Sequence, residues 1–202
     1  MIAVGVLLLG GLAFLGWWRD DAGRPLLAAL QSPEERLAAL APAFERVSAE
    51  TGLDPYLLAG LVYCESRGKP DARSRVGALG LCQLALVTAR EQAERLKLPA
   101  PDEGQLLADP ELNLRLGAHY LARMAQRFDD DVSQALMAYN TGPSRFAKWL
   151  KEAGGFEPWI AERREAGSHE QVGTVVWFAD RVQAEAGRLR EAGVLEPAPR
   201  VD

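Results

Sequence analysis

Three short motifs that start helices constrain the fold of this chain more strongly than any other feature of its sequence. Each places a small polar side chain directly before a proline: Ser32-Pro33, Asp54-Pro55 and Asp109-Pro110. Such a side chain accepts hydrogen bonds from the first N–H groups of a helix, and proline fits the first helical turn. Apolar residues recur at helical spacing after each motif, which predicts an almost all-helical domain.

The apolar spacing and the breaks in it predict individual helices. We expect helices over residues 33–51, 56–66, 79–96, 109–128, 133–139, 143–151 and 171–190. A loop rich in glycine and proline, residues 67–78, separates the second helix from the third. Short strands are predicted only within residues 73–81, so the domain is expected to be mainly α.

Composition limits the partners that the chain can bind. Its 202 residues are enough for one domain with a short appendage, and 28 acidic against 23 basic residues give a net charge of −5. An acidic chain is poorly suited to neutralising phosphates, so no nucleic acid partner is expected. Two widely separated histidines do not suit a histidine-rich metal site, and the acidic turn at residues 129–131 lacks the ligand pattern of a calcium loop. We therefore expect no metal.

The amino-terminal segment, residues 2–18, contains no charged side chain. As a helix it would be about 25 Å long, at the lower end of what crosses a bilayer. Trp17, Trp18 and Arg19 follow the pattern of an interfacial anchor. We predict an uncleaved transmembrane signal anchor over residues 1–18, with a cleaved signal peptide as the alternative. Residues 19–33 are expected to form a linker, residues 34–190 the catalytic domain, and residues 191–202 a frayed tail.

Glu65 is the first candidate for a chemical role because it ends the most apolar helix of the sequence. Carboxylates are rarely buried without a partner. A carboxyl held against apolar surface retains its proton to higher pH, which is what a general acid requires. Considered alone, a glutamate in solvent at the end of a helix is the simpler interpretation.

Two sequence blocks change that interpretation. Residues 65–83 resemble the E-S-x-x-x-P-x-A-x-S-x-x-G-A-x-G-L-M-Q signature of the soluble lytic transglycosylase family, which cleaves peptidoglycan. The matching residues are Glu65, Ser66, Pro70, Ala72, Ser74, Gly77, Ala78, Gly80, Leu81 and Gln83. Residues 138–143 read A-Y-N-T-G-P and are similar to the family's A-Y-N-A-G-P, and residues 109–121 resemble its linking helix. The resemblance covers roughly residues 44–149.

The resemblance implies an α+β lysozyme-like fold with a sugar-binding groove and a lytic transglycosylase activity. Glu65 would protonate the glycosidic oxygen between N-acetylmuramic acid and N-acetylglucosamine. It would then act as base on the muramyl 6-hydroxyl, which closes a 1,6-anhydro ring. The substrate's acetamido group would replace the second carboxylate that glycosidases use. Asp71, the nearest other acid in the block, is interpreted as a loop residue.

The resemblance also implies further site residues, partners and a location. Ser74 would hydrogen-bond the muramyl acetamido group, and Gln83 would line the groove. Tyr139 would lie close enough to the glutamate to reach its carboxyl or the substrate. Asn140, also assigned to the substrate site, is expected to hold the local backbone. The partner is the peptidoglycan strand, no cofactor is needed, and the expected location is the cell envelope, anchored in the inner membrane or exported.

Departures from the family pattern leave other functions open. Cys82 replaces a methionine, residues 84–86 read L-A-L in place of I-M-P, and Thr174 stands where a second active-site tyrosine is expected. We expect the missing methionines to weaken the floor of the sugar groove, and Trp177 is a candidate substitute for the tyrosine. The alternatives are a hydrolytic lysozyme or phage endolysin, and a catalytically weak wall-binding module of an envelope machine.

Cys64 and Cys82 lie at the two ends of the signature block. We favour two buried thiols that act as small apolar residues. A disulfide that fixes the intervening loop is the alternative, since an exported domain lies in an oxidising compartment.

Overall fold

The computed structural model describes residues 32–165 and 171–196, and in these ranges it contains ten helices and no strand. They are α1 (Pro33–Ala39), α2 (Ala41–Thr51), α3 (Pro55–Ser66), α4 (Leu86–Arg95), α5 (Glu103–Ala108), α6 (Pro110–Arg127), α7 (Val132–Thr141), α8 (Pro143–Ala153), α9 (Phe156–Glu165) and α10 (Gln171–Glu191). The mainly α prediction is confirmed. The predicted strands reduce to two isolated antiparallel bridges, Arg73 with Leu79 and Leu79 with Leu84.

All three capping motifs start helices as predicted. Ser32 Oγ accepts the N–H of Glu35 at 3.1 Å, and the Glu35 carboxylate accepts the N–H of Ser32 at 2.7 Å. Asp54 and Asp109 cap α3 and α6 in the same manner, through carboxylate oxygens that accept backbone N–H groups. These bonds satisfy N–H groups that the helix itself leaves unpaired.

Two predicted helices have different bounds in the structure. The helix predicted over residues 33–51 is split at Leu40, because Pro42 has no N–H to donate to Ala38 and its ring crowds that carbonyl. The helix predicted from residue 79 begins only at Leu86. The apolar residues within 79–84 point into the core from an irregular loop. Periodicity alone does not distinguish such a buried loop from a helix. The helices α5 and α9 were not predicted.

Helix α3 forms the centre of the domain. Its residues 57–62 are buried without interruption, which explains why the segment is apolar on every side. Helix α10 packs along α3 and α7, while α6 packs against α2, α4 and α7. Gly60 of α3 lies opposite Val182 and Ala186 of α10, and a Cβ built on Gly60 would be 2.5 Å from the Val182 carbonyl oxygen. The two helices therefore approach each other closely at a position that only glycine permits.

The carboxyl-terminal tail is ordered further than predicted. Helix α10 ends at Glu191, after which the N–H of Val194 donates to the carbonyl of Leu189 at 3.1 Å. Leu195 is buried in the core. The prediction of a frayed tail is therefore wrong for residues 192–196, and residues 197–202 lie outside the described residues.

The predicted anchor, residues 1–18, and most of the linker also lie outside the described residues. Within residues 32–165 and 171–196, no helix has both the length and the apolar character needed to cross a membrane.

Substitution of Gly60 by alanine tests the close approach of α3 and α10, with Gly187 as its matched control. Both glycines are helical, but nothing lies within 4 Å of a Cβ on Gly187. Gly60→Ala should lower the free energy of unfolding by about 2 kcal/mol or more, because backbone atoms must move apart. Gly187→Ala should raise it by about 0.5–1 kcal/mol through helix propensity. Urea denaturation measures both changes, and equal effects would contradict the steric argument.

Candidate functional site

Glu65 lies in the last turn of α3, where the helix emerges from the core. The helix ends at Ser66, and Arg67 follows in the left-handed conformation with φ 57°. The Ser66 hydroxyl is buried and donates to the carbonyl of Val62 at 3.1 Å. The serine of the Glu-Ser pair therefore contacts the helix backbone, and its hydroxyl is not directed to a ligand.

The surroundings of Glu65 raise the pKa of its carboxyl to about 8, and the cause is burial away from water. No side chain that the structure describes forms a hydrogen bond or an ion pair with this carboxyl. Burial also raises the pKa of the Cys82 thiol and of the Tyr139 phenol, and the nearby charge of Glu65 contributes to both shifts. Glu65 therefore lies beside Cys82 and Tyr139 and is protonated at neutral pH.

A buried amide holds the loop that faces Glu65, residues 67–85. Asn113 of α6 donates from Nδ2 to the carbonyls of Leu79 at 3.0 Å and Leu106 at 3.3 Å. Its Oδ1 accepts the N–H of Cys82 at 2.9 Å. Asn113 is fully buried, so these three bonds are not exposed to competition from water. They fix the loop to the helical core.

Two glycines allow this loop to lie against α6. Gly80 has φ 73°, and a Cβ on it would be 2.2 Å from Asn113 Nδ2. A Cβ on Gly117 would be 2.6 Å from Cys82 Sγ. Cys82 is thus fully buried against α6, beneath the loop. The expected buried thiol is confirmed at Cys82, whose side chain belongs to the core and not to the groove lining.

Ser74 and Gln83 both stabilise the loop with part of their hydrogen-bonding capacity. Ser74 Oγ accepts the N–H of Ala78 at 2.9 Å, which leaves its own O–H to donate. Gln83 has φ 46°, and its Nε2 donates to the carbonyls of Ala72 at 3.1 Å and Gly80 at 3.0 Å. Its Oε1 remains as an acceptor.

An open groove lies beside this loop and the carboxyl-terminal end of α7. Its lining includes Val76, Gln83, Leu84, Tyr120, Tyr139 and Asn140. The structure thus brings three of the predicted site residues together in one groove. Ser74 lies in the loop that forms one wall, and Glu65 lies next to the groove through its proximity to Tyr139.

The Tyr139 hydroxyl has a defined backbone partner. It donates to the carbonyl of Cys82 at 2.7 Å, and its ring lies 5.1 Å from the ring of Tyr120. Tyr139 therefore positions the loop, with its ring in the groove wall. Tyr120, which helical spacing alone assigns to the core face of α6, was missed as a groove residue. Its position in the segment that resembles the family's linking helix was the available signal.

Asn140 and Trp177 are both exposed. The Asn140 side chain lies on the groove wall and makes no hydrogen bond to any described residue, so the expectation that it holds the backbone is not met. Trp177 is 55% exposed on α10, and the guanidinium of Arg181 lies 5.0 Å from its ring centre. The side chain of Thr174 lies outside the described residues.

Both cysteines are free thiols in the structure. Burial raises the pKa of the Cys64 thiol to about 11, an effect opposed by Arg181, which is within hydrogen-bonding reach. Both thiols are therefore protonated at neutral pH and act as small apolar groups.

The acidic turn before α7 has a capping role. Asp131 accepts the N–H of Gln134 at 2.9 Å. Asp129 and Asp130 adopt positive φ angles in the turn. In the part of the chain that the structure describes, no cluster of three or more metal-ligating side chains is found.

Replacement of Gly80 by alanine tests the contact between the loop and Asn113, with Gly77→Ala as the control. Both positions have positive φ, 73° and 84°, so both variants carry the same backbone strain. Nothing lies within 4 Å of a Cβ on Gly77, whereas Gly80 faces Asn113. Gly80→Ala should cost about 2 kcal/mol more stability than Gly77→Ala. Thermal denaturation of the two variants measures this difference in stability. Similar melting temperatures would contradict the steric argument at Gly80.

The raised pKa of Glu65 predicts a pH-dependent stability difference. Between the usual pKa, near 4.5, and about 8, the unfolded chain loses this proton but the folded chain retains it, so stability falls as pH rises through this range. Glu65→Gln removes the penalty and should raise the free energy of unfolding at pH 7 by about 3 kcal/mol. At pH 4 the variant and the parent should be nearly equally stable. Denaturant titrations at both pH values test this prediction. If Glu65→Gln raised the free energy of unfolding equally at pH 4, burial of the ionised carboxyl would not be the cause.

Comparison with known proteins agrees with this geometry. The profile of the Transglycosylase SLT domain family matches residues 42–161. The membrane-bound lytic murein transglycosylase F of Vibrio cholerae is 34% identical over 139 residues, which are 65% of this chain and 24% of that protein. The soluble lytic murein transglycosylase of Escherichia coli is 35% identical over 91 residues, 45% of this chain and 14% of that protein.

A solved structure has a similar fold. The inactive glutamate-to-glutamine mutant of lytic transglycosylase Slt from Pseudomonas aeruginosa superposes with a TM-score of 0.62 and 30% identity, over 80% of this chain and 25% of that one. The chain thus spans a quarter or less of each of these three proteins. Because the family profile covers more than half of its residues, the chain belongs to the Transglycosylase SLT domain family.

Proposed function

We propose that the protein is a lytic transglycosylase that cleaves the β-1,4 bond between N-acetylmuramic acid and N-acetylglucosamine in peptidoglycan. The observation that carries the proposal is the Glu65 carboxyl, which burial keeps protonated to a pH of about 8 beside an open groove. A general acid near neutral pH needs this property. Family membership and the two matched relatives, both lytic murein transglycosylases by name, support the choice of substrate.

Glu65 is proposed to act first as an acid and then as a base. It donates its proton to the glycosidic oxygen, and the bond from that oxygen to the muramyl C1 breaks while the acetamido oxygen of the same sugar bonds to C1. The Glu65 carboxylate then takes the proton of the 6-hydroxyl as O6 displaces the acetamido oxygen. The products are a 1,6-anhydromuramyl end and a free 4-hydroxyl, and the carboxyl regains its proton without consuming water.

One carboxyl is sufficient for this sequence. Burial is the single cause of the raised Glu65 pKa, which means that no second described carboxylate is near enough to perturb it. Asp71, the closest other acid of the loop, is exposed. A site that lacks a second carboxylate suits participation of the substrate, whereas the two-carboxylate mechanisms need a pair at a defined separation.

The remaining site residues are proposed to orient the sugar. Ser74 retains an O–H that can donate to the acetamido carbonyl, and Gln83 retains Oε1 as an acceptor for a sugar hydroxyl. Asn140, exposed on the groove wall, has both its donor and its acceptor available. The ring of Tyr139 supplies an apolar surface, while its hydroxyl keeps the loop in place.

The proposed location is the cell envelope. Murein is the substrate named for the matched relatives, one of which is also described as membrane-bound. Residues 2–18 of this chain carry no charge and are proposed to anchor the domain in the inner membrane, with the groove facing the periplasm. Partners in an envelope complex are a further proposal.

Product analysis with Glu65→Gln tests the proposed function. The full chain should release muropeptides with anhydro ends from purified sacculi, each lighter by one water than a hydrolysed product. Glu65→Gln should lower turnover by about 100-fold or more, since the acid and base are lost together. Asp71→Asn, which neutralises an exposed acid of the same loop, should retain activity within about twofold.

The masses of the products separate the alternatives. Products that carry the extra water would indicate a hydrolytic lysozyme or endolysin. Binding to sacculi without any product, unchanged in Glu65→Gln, would indicate a wall-binding module. Full turnover by Glu65→Gln would show that another group is the acid.

A further inference from the structure

Tyr120 and Tyr139 lie side by side in the groove wall, but they differ in the partner of their hydroxyls. Each residue is only 7% exposed. The Tyr139 hydroxyl donates to the Cys82 carbonyl, whereas the Tyr120 hydroxyl makes no hydrogen bond to any described residue. A tyrosine buried to this degree usually has a partner for its O–H. The Tyr120 oxygen is not fully enclosed, and the residue lines the groove, so a bound molecule can supply that partner.

The Tyr120 ring is held in place by two neighbours. The Tyr139 ring lies 5.1 Å away at an angle of 48°, and the guanidinium carbon of Arg123 lies 5.5 Å from the Tyr120 ring centre. Burial raises the pKa of the Tyr120 phenol, so its hydroxyl can both donate and accept at neutral pH. A side chain fixed by packing loses little freedom when a ligand binds, which favours binding.

Thr88 supplies a second hydroxyl to the same groove. It is half-buried, lines the groove and makes no hydrogen bond to any described residue. Helices α4 and α6 pack together, and an ion pair between Glu91 and Arg123, at 2.8 Å, joins them. Thr88 lies one turn before Glu91 on the same face of α4, and Tyr120 lies one turn before Arg123 on α6. The two hydroxyls therefore belong to the same part of the groove, where α4 meets α6.

This part of the groove is further from Glu65 than Tyr139 is. The charge of Glu65 contributes to the raised pKa of Tyr139, but it is not among the causes of the raised pKa of Tyr120. Tyr139 thus lies nearer to the proposed acid, and Tyr120 lies on the side of Tyr139 that faces α4. A sugar at Glu65 and a group at Thr88 and Tyr120 would therefore be different parts of one bound molecule.

Ala85 keeps this part of the groove open. It directly precedes α4 and also lines the groove, at a position where the family pattern has a methionine. Alanine lacks the thioether arm of methionine, so the two hydroxyls make up a larger share of the lining. Short apolar side chains with a few polar groups suit a sugar, which carries hydroxyls around an apolar ring.

We propose that the Thr88 and Tyr120 hydroxyls bind a hexosamine of the glycan strand other than the muramyl sugar at Glu65. This inference rests on the proposed function, because it assumes that a glycan strand lies in the groove. The hydroxyl and acetamido groups of such a sugar can donate and accept, as the two protein hydroxyls can. Hydrogen bonds from α4 and α6 thus take over, in this chain, contacts for which the family pattern has a methionine.

The experiment removes each hydroxyl while keeping the shape of the side chain, in Thr88→Val, Tyr120→Phe and the double variant. The control is Thr51→Val/Tyr56→Phe, which makes the same chemical changes at two residues outside the groove lining. The substrate is glycan strands from which an amidase has removed the peptides. Thermal unfolding establishes that the variants are folded, and Tyr120→Phe should lose no stability because its hydroxyl has no partner in the free protein.

Each single variant should raise KM for these strands about fivefold and the double variant about twentyfold, while kcat changes less than about twofold. The hydroxyls serve binding and not proton transfer, which is the reason for the split. Thr88→Ser, which keeps a hydroxyl, should recover most of the affinity that Thr88→Val loses. An unchanged KM in the double variant, a loss confined to kcat, or an equal rise of KM in the control would each overturn the proposal.

A binding measurement separates this inference from the proposed function. Full-length Glu65→Gln protein, with and without Thr88→Val/Tyr120→Phe, is titrated calorimetrically with the same peptide-free strands. Binding that is weaker by about tenfold or more without the two hydroxyls supports the sugar contact even if the parent chain releases no product. If the parent releases anhydro products but the substitutions change neither KM nor Kd, the proposed function stands and the sugar contact is refuted.

Discussion

The close approach of α3 and α10 at Gly60 is the contact on which the rest of the site depends. A hydrogen at this position lets the α10 backbone reach the α3 surface, so α3 is covered along most of its length. Its last turn remains close to apolar atoms, which desolvates the Glu65 carboxyl and raises its pKa. The same approach places Arg181 against Cys64. The contact between α3 and α10 thus buries the α3 segment that leads to the proposed acid and brings Arg181 to Cys64.

A second constraint is the attachment of the loop that faces this helix. Residues 67–85 contain no regular element, yet Leu79, Leu81 and Cys82 are completely buried. Asn113 satisfies the Leu79 carbonyl and the Cys82 N–H with two hydrogen bonds, and Tyr139 adds a third at the Cys82 carbonyl. Because buried polar groups are costly when unpaired, this network specifies one loop conformation. Ser74 and Gln83 are thus presented from a rigid support, although they lie on a loop.

The helices with strong start signals were predictable, and so was the apolar environment of Glu65 at the end of α3. Ser32, Asp54 and Asp109 act locally, through bonds to N–H groups two or three residues away. The loop was less predictable, since its apolar residues are buried by a distant helix and not by their own periodicity. For the same reason sequence alone did not reveal that the Tyr139 hydroxyl has a backbone partner, although a buried thiol at Cys82 was the favoured expectation. The burial of Cys82 depends on Asn113 of α6, 31 residues away, and the Tyr139 bond joins residues that are 57 apart.

The charge arrangement around Glu65 reconciles two requirements that oppose each other. A general acid must keep its proton, whereas cations near a carboxyl lower its pKa. Arg67 and Arg181 flank the end of α3, yet burial alone accounts for the raised pKa of Glu65. Each guanidinium lies over an aromatic ring, Arg67 over Tyr63 and Arg181 over Trp177. The proposed acid therefore remains in an apolar environment, and no described cation lowers its pKa.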